Sequence, residues 1–294
     1  MEALTARSTA AESGRSASHA LDVLRTLRHY SWVATIRMEG HEHARSHFKA
    51  SVVVGLAIDA IGLRFQVEDA RRFTKAGRQH LFAEDRFATT LDGRILRGSS
   101  VQMLGLGGRP GSLAATMAGE QSFLDAAGCI LQHYIDGRRS GHALHLVERW
   151  ANALYWVGEA RREASDFMAV VNYGCAADGL SGAGGKASDV TSFVETALKS
   201  ESETVPEGAL TVDAAVHTVY REGRNKLAHG EMSGLLEDLV EPRAVGEALL
   251  SALFDVVTPS LADLLLNEPN LPKLDEKHAY RLLRAKLAAR KAGP

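Results

Sequence analysis

The sequence predicts an α+β fold: a small N-terminal α+β unit followed by a mostly α-helical bundle. Three observations carry this reading. Residues 31–38, SWVATIRM, alternate Trp32, Ala34, Ile36 and Met38 in the manner of a half-buried strand. Asp92-Gly93 stands between two alternating runs within 80–100, and that dipeptide tolerates the positive φ of a tight hairpin turn. From about residue 112 onward, apolar residues recur at helical spacing nearly to the end of the chain.

Taken in order, the first twenty residues are rich in Ser, Ala and Gly and are expected to be a disordered lead-in. The strand at 31–38 follows. The stretch 43–65 sets Phe48, Val52, Leu56, Ile58 and Leu63 near helical spacing and predicts a helix of four or more turns. The hairpin at 80–100 completes the N-terminal unit. Residues 103–115, MLGLGGRPGSLAA, form a Gly/Pro-rich connector. Helices are then expected at 112–136, 139–164, 166–180, 188–200, 209–229, 243–266 and 275–291. The clearest is 139–164, where Leu144, Val147, Trp150, Ala151, Leu154 and Val157 make one apolar stripe. Ser188 or Asp189 is expected to cap the helix after the loop 180–189. The boundary between the two parts is expected between 103 and 140.

The composition is that of a globular protein: 294 residues, 45% hydrophobic and 24% charged. A formal net charge of −2 excludes a global electrostatic footprint for nucleic acid, so an RNA-binding surface has to be a local patch. Cys129 and Cys175 lie in apolar stretches, which argues against a disulfide framework and for a cytoplasmic setting. The N-terminus carries no apolar core of a secretory signal, and no apolar run is expected to approach the roughly 20 residues of a membrane span.

Several candidate sites fail on their own chemistry. Gly105, Gly107, Gly108 and Gly111 precede a helix, but the lysine of a phosphate-binding loop is missing and Pro110 occupies the last glycine position of the dinucleotide pattern. His43 and His47 share a helical face, yet the zinc-protease pattern would need a histidine where Arg45 stands. His142 and His145 lack a carboxylate or cysteine nearby in sequence. No nucleophile elbow is present, and Gly98-Ser99 is not followed by a paired-aspartate signature. Lys277, Arg281, Arg284 and Lys291 line one face of the last helix, which could hold phosphates but is more commonly a solvated face whose cations complement the helix dipole. No metal or cofactor is expected.

One stretch carries chemistry. In YREGRNKLAHGEM (220–232), Asn225 and His229 are four apart and would share a helical face, with Arg224 one position around. Val212, Val216, Val219 and Leu227 would bury the other side, and Gly230 would close the C-terminus. A planar cation, an amide and an imidazole are sufficient to cleave RNA. The 2′-hydroxyl attacks its own 3′-phosphate and the 5′-oxygen leaves. Imidazole titrates near neutral pH and can take the 2′ proton. Guanidinium offers bidentate donors to phosphate oxygens, and the amide can orient either group. The substrate brings its own nucleophile, so no metal is needed, and DNA would be inert. One histidine cannot easily be base and acid at once, so a second copy of the chain would complete the pair.

The run GRNKLAHG resembles the Arg-polar-x3–6-His motif of HEPN (higher eukaryotes and prokaryotes nucleotide-binding) domains, especially the ApeA-like members, over about residues 139–266. Residues 149–186 are similar to the helix pair that precedes the motif there, and many relatives carry a glutamate where Asp178 sits. The resemblance implies a metal-independent endoribonuclease acting as a homodimer with a composite active site. Arg224 and His229 would be its catalytic pair and Asn225 the polar residue after the arginine, with Lys226 and Arg221 beside them to bind the RNA substrate. Such a protein would serve as a toxin or antiviral-defence effector and be held off by an inhibitory partner protein. The family also contains non-catalytic modules that bind RNA, a nucleotide or a protein. The organisation expected is a lead-in at 1–20, an N-terminal α+β domain of unknown role at 21–135, and a helical HEPN-like domain at 136–294.

Overall fold

A computed structural model describes residues 21, 36–40, 42–65, 83–90, 92, 94–101, 112–137, 144–198, 211–225 and 238–292. Contacts divide the chain between Glu39 and Gly40. In the first unit, Arg37 and Glu39 form an exposed ion pair at 2.6 Å. The second unit contains all the elements that follow.

These elements are α1 (His43–Gly62), β1 (Ala83–Thr89), β2 (Ile95–Val101), α2 (Ser112–Gly119), α3 (Gln121–Asp136), α4 (His145–Arg162), α5 (Asp166–Ser181), α6 (Ala187–Ala197) and α7 (Val212–Val216). A π-helix, His217–Asn225, continues α7 directly; α8 (Val240–Asn267), a short 3₁₀ turn (Leu271–Lys273) and α9 (Glu276–Ala292) complete the order.

The expected α+β class is corrected to a helical bundle. Residues 36–38 are not strand, and the rest of the strand expected at 31–38 lies outside the described residues. The hairpin does form, with Ala83 opposite Val101 and Thr89 opposite Ile95, closed by the Thr90 N–H donating to Arg94 O at 2.9 Å. Among the described residues it is a lone two-stranded ribbon, and two strands do not make a sheet layer on which helices can build a core. The long N-terminal helix instead joins the helices. Val53, Leu56, Ala60 and Leu63 of α1 and the residue after it are buried, and α1 packs on α3 and α4. Among the described residues the main apolar core runs from Leu56 to Leu287 across position 135/136, with a smaller cluster around Val170 and Leu239.

Two helices organise that core. α4 buries Trp150, Ala153, Leu154 and Val157 almost completely, each large side chain worth about 1.5–3 kcal/mol of transfer free energy. Its stripe widens to most of its circumference because α1, α3 and α5 all pack on it. α8 touches α3, α5, the π-helix and α9, burying Leu249, Leu250, Leu253, Phe254, Val257 and Leu261. By length and composition α8 also meets the requirement for crossing a membrane, and half of its apolar window is buried within the bundle. Trp150 donates its indole N–H to Thr258 Oγ1 at 3.0 Å, which satisfies a polar atom in the driest part of the core.

Among the described residues, the buried charged side chains Asp59 and Arg161 belong to networks. Arg161 grips Glu247 with two donors and also donates to the Gly62 carbonyl, while Tyr173 and Ser251 donate to the same carboxylate. Arg162 pairs with Asp59 of α1 and with Glu159. Removing one partner from such a set would strand the other in low dielectric.

The expected helices agree closely with the observed ones, with these differences. The helix expected at 139–164 begins at His145 after Leu144, residues 139–143 lying outside the described residues, and the one expected at 188–200 ends at Ala197. The helix expected over 112–136 breaks at Glu120 into α2 and α3. The helix after the 180–189 loop begins at Ala187, with Lys186 at its N-cap and no side-chain cap, so neither Ser188 nor Asp189 plays that part. The helix expected at 209–229 begins at Val212, where Thr211 caps Ala214 N–H, and changes to π geometry at His217.

Candidate functional site

Arg224 stands near the end of the π-helix, which crosses α5 at very short range. Glycines on both sides permit the approach. A Cβ at Gly174 of α5 would stand 2.2 Å from Arg224 Cβ and 2.8 Å from its Cγ; a Cβ at Gly223 would stand 2.3 Å from Val170 Cγ1. Any other residue at either position would force the helices apart.

The π geometry is visible in side-chain spacing. His217 Nε2 and Glu222 Oε1 are 3.7 Å apart at i,i+5, the period of the π hydrogen bond. Val212, Val216, Val219 and Tyr220 all turn inward, each no more than 5% exposed. The apolar face expected from the sequence is therefore present as far as Val219, and Leu227 lies outside the described residues.

Arg224 is held by Tyr220 in two ways. Its Nη1 donates to Tyr220 Oη at 3.3 Å, and its guanidinium carbon is 5.2 Å from the centroid of the tyrosine ring. Tyr220 in turn donates to Asp178 Oδ1 at 3.0 Å, and the same oxygen accepts the Gly185 N–H at 2.8 Å. The chain of contacts is thus loop 182–186, Asp178, Tyr220, Arg224. Burial first, and then the hydrogen bond to Asp178, push the Tyr220 phenol up to about 12.

The loop that positions Asp178 is shaped by the end of α5. Gly182 adopts φ 65 as the left-handed C-cap, and its N–H donates to Asp178 O at 3.1 Å. A Cβ there would also meet the Tyr280 ring at 2.5 Å. Tyr280 of α9 donates to the carbonyls of Gly179 and Leu180 at 3.2 and 3.1 Å, and burial pushes its phenol well above the ordinary value. α9 thereby clamps the C-terminal end of α5, on which Asp178 sits.

Of the residues singled out from sequence, Arg224 is half-buried in this chain of contacts and Arg221 is exposed one turn earlier. Asn225 is the last residue of the π-helix. Lys226, His229 and Gly230 lie outside the described residues, as do the glycines of the 103–111 connector, His41 and His142. His43 and His47 are exposed on the first turns of α1, and among the described residues no three His, Cys, Asp or Glu side chains converge as metal ligands. On α9, Arg284 donates to Ser192 and to the Asp189 carbonyl and lies over the Phe193 ring, while Lys277 and Arg281 are exposed.

Tyr220 and Gly174 are the residues the motif alone does not reveal. Tyr220 precedes Arg224 by one helical turn, a spacing that brings an aromatic ring under a guanidinium. Gly174 has no local signal, because its partner is fifty residues away in sequence. No family model, curated protein or solved structure matches this chain.

Proposed function

We propose that this chain is a metal-independent endoribonuclease of HEPN type, with Arg224 and His229 as the catalytic pair. One observation supports the reading most. The motif arginine is held by the buried Tyr220, itself bonded to the half-buried Asp178, at the end of a π-helix, and π-helical segments are frequent at functional sites. In the reaction, the 2′-oxygen bonds to phosphorus and the P–O5′ bond breaks. The 2′ proton passes to the His229 imidazole, and the leaving 5′-oxygen takes a proton from His229 of a second copy. Arg224 neutralises the charge that builds on the phosphoryl oxygens, and Asn225, Lys226 and Arg221 hold the RNA. The product ends are a 2′,3′-cyclic phosphate and a 5′-hydroxyl.

The test is incubation of purified protein with single-stranded RNA in excess chelator. Cleavage leaving cyclic phosphate ends, lost in His229→Ala and in Arg224→Ala, is the expected result. Intact RNA, or cleavage unchanged in His229→Ala, overturns the reading. In cells, a nuclease of this kind acting as a toxin or defence effector would arrest growth on expression, and the double change Arg224→Ala/His229→Ala would restore it.

A second reading, a non-catalytic module binding RNA, a nucleotide or a protein partner, is favoured by the same contact seen from the other side. Arg224 already donates to Tyr220 and lies over its ring, as a structural arginine does. Protein that shifts RNA in a salt-sensitive manner but never cuts it would select this reading.

A further inference from the structure

The polarity of the hydrogen bonds around Tyr220 is fixed by chemistry. A carboxylate oxygen only accepts, so the single phenolic proton is committed to Asp178 Oδ1 at 3.0 Å. Tyr220 Oη therefore presents a lone pair, not a proton, to Arg224 Nη1 at 3.3 Å. The Gly185 N–H, donating to the same carboxylate oxygen at 2.8 Å, fixes the acid in turn. The ring is fully buried and the guanidinium carbon lies 5.2 Å from its centroid, so the arginine head is held from two directions. An arginine near a helix end ordinarily samples many rotamers, and ordering one costs side-chain entropy at the moment a phosphate binds.

We propose that Tyr220, oriented by Asp178, is the positioning residue for the Arg224 guanidinium, setting its orientation before the phosphate arrives. Its catalytic consequence rests on the ribonuclease reading; its structural consequence does not. A phenol is protonated throughout the neutral range, and burial with the hydrogen bond to Asp178 raises this one further, so its hydroxyl remains a donor there.

The test compares wild type, Tyr220→Phe and Asp178→Asn in the full chain. Tyr220→Phe keeps the ring under the guanidinium and removes only the hydroxyl. Two readouts are taken: chelator-resistant cleavage of single-stranded RNA, and the side-chain Nε–H resonance of Arg224, assigned by its loss in Arg224→Lys. The expected result for Tyr220→Phe is a kcat lower by about tenfold with KM within about twofold, the scale of one lost hydrogen bond acting in the transition state. The Arg224 resonance should also shift and exchange faster with solvent than in wild type, and Asp178→Asn should fall between the two proteins on both measures. Wild-type kcat in Tyr220→Phe, or an unmoved Arg224 resonance, overturns the proposal. If wild type itself leaves RNA intact, the ribonuclease reading fails and the resonance alone decides whether Tyr220 positions Arg224. A variant that loses its cooperative melt is replaced by Asp178→Asn, which keeps the shape of the site.

Discussion

Gly174→Ala tests the crossing on which the candidate site depends. The new methyl carbon would stand 2.2 Å from Arg224 Cβ, 2.8 Å from Arg224 Cγ and 3.3 Å from Val219 O. Comfortable carbon contacts begin near 3.5 Å, so α5 and the π-helix must separate by about 1 Å or more. Overpacking of this kind costs about 1–3 kcal/mol. Alanine returns up to about 1 kcal/mol through its better helix propensity. The net expectation is a loss of about 1–2 kcal/mol, equivalent to about 2–8 °C in Tm for a unit of this size. Gly179→Ala is the internal control. It lies on the same helix, and its Cβ would meet only Ala153 Cβ, at 3.9 Å. It should be neutral or stabilising by up to about 1 kcal/mol. Urea unfolding of the two variants beside wild type reads the difference. Equal stability of Gly174→Ala and Gly179→Ala would refute the close crossing, and with it the packing that holds Arg224.

Other outcomes follow from the same geometry. Thr258→Val leaves the buried Trp150 indole N–H without its acceptor and should cost about 1–3 kcal/mol, read by urea unfolding with a shift in tryptophan emission. Glu247→Ala strands the Arg161 guanidinium, whose side chain is 6% exposed, and should destabilise by about 3–5 kcal/mol. The Tyr220 phenol is raised in the folded state from 10.0 to about 12, so its contribution is complete below pH 10 and is lost as pH rises through about 12. An alkaline titration followed by near-ultraviolet absorbance should show late phenols, among them Tyr280 and Tyr173, and Tyr220→Phe should lower the amplitude of the late phase by one phenol. Gly182→Ala should destabilise by about 1–3 kcal/mol, because it combines a left-handed backbone with contact against the Tyr280 ring; a thermal melt at neutral pH measures it.

The helices were legible because each carries its own period. The stripe Leu144, Val147, Trp150, Leu154 and Val157 locates α4 from spacing alone, and every one of these residues is buried. The β-hairpin was also legible, since alternation and an Asp-Gly turn are local signals. Its meaning for the fold class was not. Whether a hairpin seeds a sheet depends on a third strand, and whether α1 joins it depends on which surface lies across from Val53, Leu56 and Ala60. That surface belongs to α3 and α4, more than fifty residues further along the chain.

The candidate site divides in the same way. Arg224, Asn225 and His229 are readable as a chemical set because they are neighbours in sequence and because phosphoryl transfer to a 2′-hydroxyl can be carried out by those side-chain types. The sequence by itself determined the helical periods, the apolar faces and this cluster of a cation, an amide and an imidazole, all of which depend on residues within a turn or two of each other. Only the tertiary structure decided that the helix becomes a π-helix at His217, that Gly174 lets Arg224 against α5, and that Asp178 reaches Tyr220 from 42 residues away. The physical reason is range. Helix propensity and amphipathicity act between neighbours, whereas close approach, buried hydrogen bonds and a constrained guanidinium exist only where distant segments are packed together.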